Sequence, residues 1–155
     1  MDLHVDIDDR GLIQAFSRAP QSVSKAMEEG VMLAGEMVAD CAKAHHRFIG
    51  RTGALESSIR TLFQPPMTVI VQAGGGGAGY GAYVHGGTKA HVIRAKNKKL
   101  LRWPSPAGGF FLKREVNHPG TKADPFLFNA LEEKRSEVVK QMQRAVDAAL
   151  KGAGL

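Results

Sequence analysis

Three short pieces between Tyr80 and Leu131 constrain this chain more than any other feature. They are Tyr83-Val84-His85-Gly86-Gly87-Thr88, Asn117-His118-Pro119-Gly120-Thr121-Lys122, and Asp124-Pro125-Phe126-Leu127. All three fix backbone. Their glycines, Gly87 and Gly120 among them, permit positive φ, Pro119 and Pro125 lock φ, and Tyr83 and Phe126 offer aromatic anchors. None carries the reactive groups of an active site. A chain that fixes shape in this way reads as a building part before it reads as an enzyme.

The segments around these pieces predict a single α+β domain over residues 1–155. It divides into an N-terminal arm at 1–19, a core at 20–150 and a frayed tail at 151–155. Leu3-His4-Val5-Asp6-Ile7 alternates and predicts a short strand. Gly11 to Ala19 reads as a short helical segment. From Pro20 to Phe48, Met27, Val31, Ala34, Val38, Cys41, His45 and Phe48 recur at spacings of three and four, one face of a long helix. Leu33 and Met37 widen that stripe, and Gly50 ends it. Gly30 and Gly35 lie inside it, where each costs roughly 1 kcal/mol relative to Ala, so close packing or a bend is expected there.

Thr52 is placed to cap a short helix containing Leu55, with Glu56 in its first turn. Thr68 to Ala73 is rich in β-branched residues and predicts a strand. Gly74 to Gly79 reads as a flexible turn, and Tyr80 to Gly86 as one or two helical turns. His91–Ala95 and Lys99–Trp103 read as two strands of one hairpin, turned by Lys96-Asn97-Lys98. Phe110 to Val116 reads as a further strand. Asp124 then caps a C-terminal helix opened by Pro125. The expected architecture is two long helices packed on a small, mainly antiparallel sheet, with a projecting basic hairpin.

Composition narrows the function classes. Of 155 residues, 43% are hydrophobic and only 6% aromatic, so Val, Leu, Ile, Ala and Met must fill the core. Lys+Arg exceed Asp+Glu by 21 to 15, a formal charge of +6 that favours an acidic or nucleic-acid partner by steering. Cys41 is the sole cysteine, so no internal disulfide is expected, and its place on the apolar stripe predicts a buried small hydrophobe. No run approaches the ~20 apolar residues of a membrane span. The acidic N-terminus lacks a secretory pattern, which predicts synthesis in the cytoplasm.

The candidate chemistries are weak. The Gly74–Gly79 run lacks the Gly-Lys-Ser/Thr of a phosphate loop and the frame of a dinucleotide site. His45 and His46 are adjacent and diverge on a helix, while His85, His91 and His118 could converge. No Cys pair or His-x3-His supports a metal. Ser57, Ser58 and Ser105 lack a nucleophile's setting. Catalytic, cofactor and metal residues are therefore expected to be none. Arg94, Lys96, Lys98, Lys99 and Arg102 lie within nine residues, with Trp103, Lys113 and Arg114 close by. They form either a patch for phosphates or an acidic protein rim, or a solvated edge guarded by lysines.

The order of these pieces resembles the tailed-bacteriophage family named after the tenth gene product of phage HK97, described as neck or tail components. The matching pieces are Arg51-Thr52-Gly53-Ala54-Leu55 with Ser58-Ile59, then Tyr83-Val84 with Gly87-Thr88. They continue with His91-Val92-Ile93, Lys96, Leu100 and Trp103, and end with His118-Pro119-Gly120-Thr121-Lys122 and Pro125-Phe126-Leu127. The similarity spans about residues 20–150. His85 departs from it, since the family usually has an acidic residue after the valine. The resemblance implies an α+β fold, no catalytic residues, and a homo-oligomeric ring, expected to be a hexamer. That ring would join the portal and head-closure or adaptor proteins to the tail terminator or tail tube, with non-specific contact to channel DNA. It also implies a place in the virion, after synthesis in a host bacterium. Two other classes stand beside it: a small basic nucleic-acid-binding protein acting outside a particle, and an enzyme such as a hydrolase.

Overall fold

The computed structural model describes residues 3–7, 21–50 and 52–152, and its fold is α+β. Helix α1 (Gln21–Ala44) and helix α4 (Phe126–Gly152) lie against each other. They run antiparallel: Gly30 in the first half of α1 meets Ala145 late in α4, whereas His45 just past α1 meets Glu133 near the start of α4. A Cβ at Gly30 would collide with Ala145, and one at Gly35 with Val69. Both glycines therefore serve close approach, the first of helix to helix and the second of helix to sheet.

That sheet has three antiparallel strands in the order β1-β3-β2, from β1 (Leu3–Ile7), β2 (Arg60–Gln64) and β3 (Thr68–Ala73). Its register sets Val5 opposite Val71, and Thr61 opposite Val71 on the other side. Strand alternation turns Val69, Val71 and Ala73 inward, where they are buried under Val31, Ala34 and Val38 of α1. Phe126 and Leu127 complete this cluster from α4. A second cluster of Val23, Met27, Met67, Ala145 and Ala149 closes the other end of the helix pair.

Several expectations need correction. The first long helix stops at Ala44, not at Gly50, because Arg47 and Phe48 turn their N–H groups toward Asp124 on the far side of the fold. His45 is consequently exposed and Phe48 only half-buried, while Leu33 is 48% exposed and lies off the buried face. Strand β2 has no counterpart in the sequence reading. The short helix α2 (Ala54–Ser57) takes Gly53, at φ +66°, as its N-cap residue, with Thr52 one residue earlier. Pro125 precedes the last helix, which begins at Phe126 and continues past Lys151 to Gly152. The short helical segment expected over Gly11–Ala19 lies outside the described residues, as do positions 153–155.

The largest correction concerns the hairpin. Strand β4 (His91–Arg94) does not pair with β5 (Leu101–Pro104). It pairs with β7 (Glu115–His118), while β5 pairs with β6 (Phe110–Lys113), so the expected Phe110–Val116 strand is divided at Arg114. The two ladders are nested into one long arm running from His91 to His118. Residues 95–100 on one side face Arg114 alone on the other, which makes Lys96, Lys98 and Lys99 a mid-arm bulge. The tip is instead the Ser105–Gly109 turn.

Candidate functional site

The arm is rooted by the first two shape-fixing pieces. Helix α3 (Gly81–Gly86) ends at Gly87, whose φ is +71°. Thr88 and Thr121 then exchange backbone hydrogen bonds of 2.8 and 3.0 Å, and the Thr121 N–H also reaches the Thr88 hydroxyl at 2.9 Å. A Cβ on Gly87 would lie 2.7 Å from the Thr121 oxygen and 2.8 Å from the Ala123 nitrogen. At Gly120, with φ +93°, a Cβ would collide with the Thr88 oxygen. Two backbones cross here with room only for hydrogen on each. The Gly120 N–H donates to His118 Nδ1 at 3.1 Å, which leaves the proton of that ring on Nε2. Tyr83 is 64% exposed beside this crossing, in a shallow groove with Thr88, His91, His118 and Thr121.

The third piece ties the crossing to the helices. The Asp124 N–H donates to the Val84 carbonyl at 3.0 Å. Asp124 is buried, and its carboxylate accepts from the Arg47 N–H at 2.6 Å and the Phe48 N–H at 2.9 Å. It was expected to cap the last helix. It instead accepts from two backbone donors of the chain leaving α1, which no longer have helical partners there. Phe126 follows, fully buried, with its ring edge against Phe48 at 5.2 Å and His85 at 5.4 Å.

His85 does not converge with His91 and His118, whose own rings lie 5.1 Å apart at the arm root. It is buried between Phe126 and Phe128, and its Nε2 has no hydrogen-bond partner among the described residues. Burial pushes its pKa below the usual value, opposed by the negative charge of Asp124.

The five basic candidates divide in the arm. Arg94 pairs with Glu115 across the outer ladder at 3.0 Å. Arg102 covers the Phe110 ring at 3.5 Å. Lys96, Lys98 and Lys99 are exposed and make no ion pair among the described residues. Beyond them, Phe110, Phe111 and Leu112 are exposed by 54, 43 and 58%. Because Phe110 and Leu112 face away from Phe111, apolar side chains occupy both faces of the ribbon. The signal stands in the sequence as Phe110-Phe111-Leu112, next to the more conspicuous lysines.

A group with metal-ligand chemistry also went unread: Cys41-x3-His45 is an i,i+4 pair facing Glu133 on α4. Sγ of Cys41 lies 3.6 Å from His45 Nδ1, which lies 2.8 Å from Glu133 Oε1. These three are the described residues that could hold an ion. Burial and then Glu133 raise the Cys41 thiol pKa, which disfavours the thiolate that a metal needs. The His45–Glu133 bond itself ties the end of α1 to α4.

Comparison with known proteins finds no matching family model, curated protein or solved structure.

Proposed function

We propose that this chain is a structural virion protein of a tailed phage. In this reading it forms a ring at the head–tail junction, between the portal or head-closure complex and the tail tube. The observation that carries the reading is the arm. It exposes a row of apolar side chains and three lysines that make no ion pair among the described residues, while its root is held by glycines that admit no side chain. Rigid anchoring of an exposed, sticky element is what a subunit needs when its partners are other proteins. The motif order that resembles the phage neck and tail-component family supports the same reading.

The test is electron microscopy of the purified chain, alone and with the portal and tail proteins encoded beside its gene. A closed ring, sixfold by expectation, is the predicted result. A monomer that binds duplex DNA tightly, with strong salt dependence, and enters no ring or particle would favour the nucleic-acid-binding alternative.

A further inference from the structure

We propose that the arm of one subunit docks in a groove on α1 of a second copy of this chain. The groove, about 540 Å³, runs between α1 and the edge strand β2. Its floor is apolar, built from Met32, Leu33 and Phe63, and its rim carries Glu28, Glu29 and Glu36 against a single Lys25. Glu29, Leu33 and Glu36 recur at helical spacing, so acidic and apolar groups share one face. The arm presents the complement. Phe110 and Leu112 are exposed on one face of the ribbon, and Lys96, Lys98 and Lys99 form the bulge behind them. Apolar side chains would meet the floor while the lysines meet the glutamates.

An intramolecular version is not what the fold shows. The arm strands pack closely on each other, and none of the broad element contacts joins them to α1 or β2 of the same chain. A two-stranded ribbon with apolar groups on both faces is marginal in water and gains from an external surface. The edge of β2 beside the groove is also open to strand addition among the described residues. Arm and groove are different surfaces, so the contact can repeat head-to-tail from copy to copy, and it forms a ring where its rotation closes. This inference rests on the ring reading above and specifies its contact.

The experiment is a charge exchange read by sedimentation and electron microscopy of the full chain. One variant carries Lys96→Glu, Lys98→Glu and Lys99→Glu. A second carries Glu28→Lys, Glu29→Lys and Glu36→Lys, and a third carries all six. Circular dichroism confirms that each is folded. Each triple change should weaken self-association by roughly tenfold or more, and the six-fold variant should recover most of it. Failure of the combined variant to recover would overturn the arm–groove pairing. So would unchanged assembly in both triple variants, although rings that persist there would leave the ring reading standing. Loss of duplex DNA binding by the arm variant, with assembly intact, would make the arm a DNA contact instead. A wild-type chain that stays monomeric at every concentration, and beside its partner proteins, would overturn both readings.

Discussion

The crossing at Gly87 and Gly120 and the arm that leaves it are contiguous in sequence, yet they are held by opposite means. At the crossing, backbone meets backbone and the neighbouring Asp124 and Phe126 are buried with nearly every polar group satisfied. In the arm, every residue of β4 and β6 is exposed, and ladder bonds with a few surface side-chain contacts connect the strands. Stability is concentrated in the first region and exposed surface in the second. A chain gains little by holding a ribbon rigidly in solvent unless something else binds it.

The sharpest way to break this contrast is Phe126→Ala. The ring is fully buried between Phe48 and His85, so its removal should cost about 3–5 kcal/mol. For a chain of this size, that lowers the melting temperature by roughly 6–20 °C. A melt unchanged within error would move the stabilising centre away from the crossing.

Gly120→Ala should follow in size. The positive φ alone costs about 1–3 kcal/mol for a residue with a Cβ, and the Thr88 carbonyl must also move. By contrast, Gly108→Ala at the arm tip, with equally positive φ but open space around it, bears only the conformational cost. Chemical denaturation of the two variants compares them directly. Equal losses would mean that the crossing adds nothing beyond backbone preference.

His85 gives a smaller, pH-dependent effect. Its folded pKa lies below the ordinary 6.5 because it is buried. The unfolded chain therefore binds more protons as the pH falls through 6.5, and stability falls with it. The contribution is fully present above that pH and is lost below it, down to the folded pKa. His85→Phe should flatten the stability profile between neutral and mildly acidic pH. An unchanged slope would assign the acid sensitivity to other groups.

How much of this was legible in the sequence depends on whether the deciding contact was local. Thr68–Ala73 was readable because β-branched residues favour a strand wherever they lie. The α+β class followed from periodicity and proline placement in the same way. The end of α1 was not readable: apolar spacing continues through His45 to Phe48, and only the distant Asp124 diverts the chain. Strand β2 was hidden because its outward Leu62 is exposed and weakens the alternation. The arm was misread because Lys96-Asn97-Lys98 has the composition of a turn. Its true pairing is set from outside, where the crossing places His91 opposite His118 and thereby commits β4 to β7. The apolar groove on α1 needed Phe63 from another strand, which no helical pattern could reveal.

The smallest expected effect tests the arm itself. Residues 96–113 contain no member of either buried cluster, and the outer ladder stands without them. Replacing them with a short Asn-Gly turn between Ala95 and Arg114 keeps the Ala95 N–H to Arg114 carbonyl bond that already closes the outer ladder. Helix unfolding followed by circular dichroism should then shift by less than about 2–4 °C, the equivalent of 1 kcal/mol in a chain of this length. In the intact chain, Trp103 reports the arm alone, since it packs against Phe111 across the inner ladder. Its fluorescence should change at a lower temperature than the helical signal, because a ribbon with few buried contacts opens before the body does. Coincident transitions, or a large loss on shortening, would show that the arm is part of the cooperative core. The exposure of Phe110 to Leu112 would then be a by-product of folding rather than a surface kept for a partner.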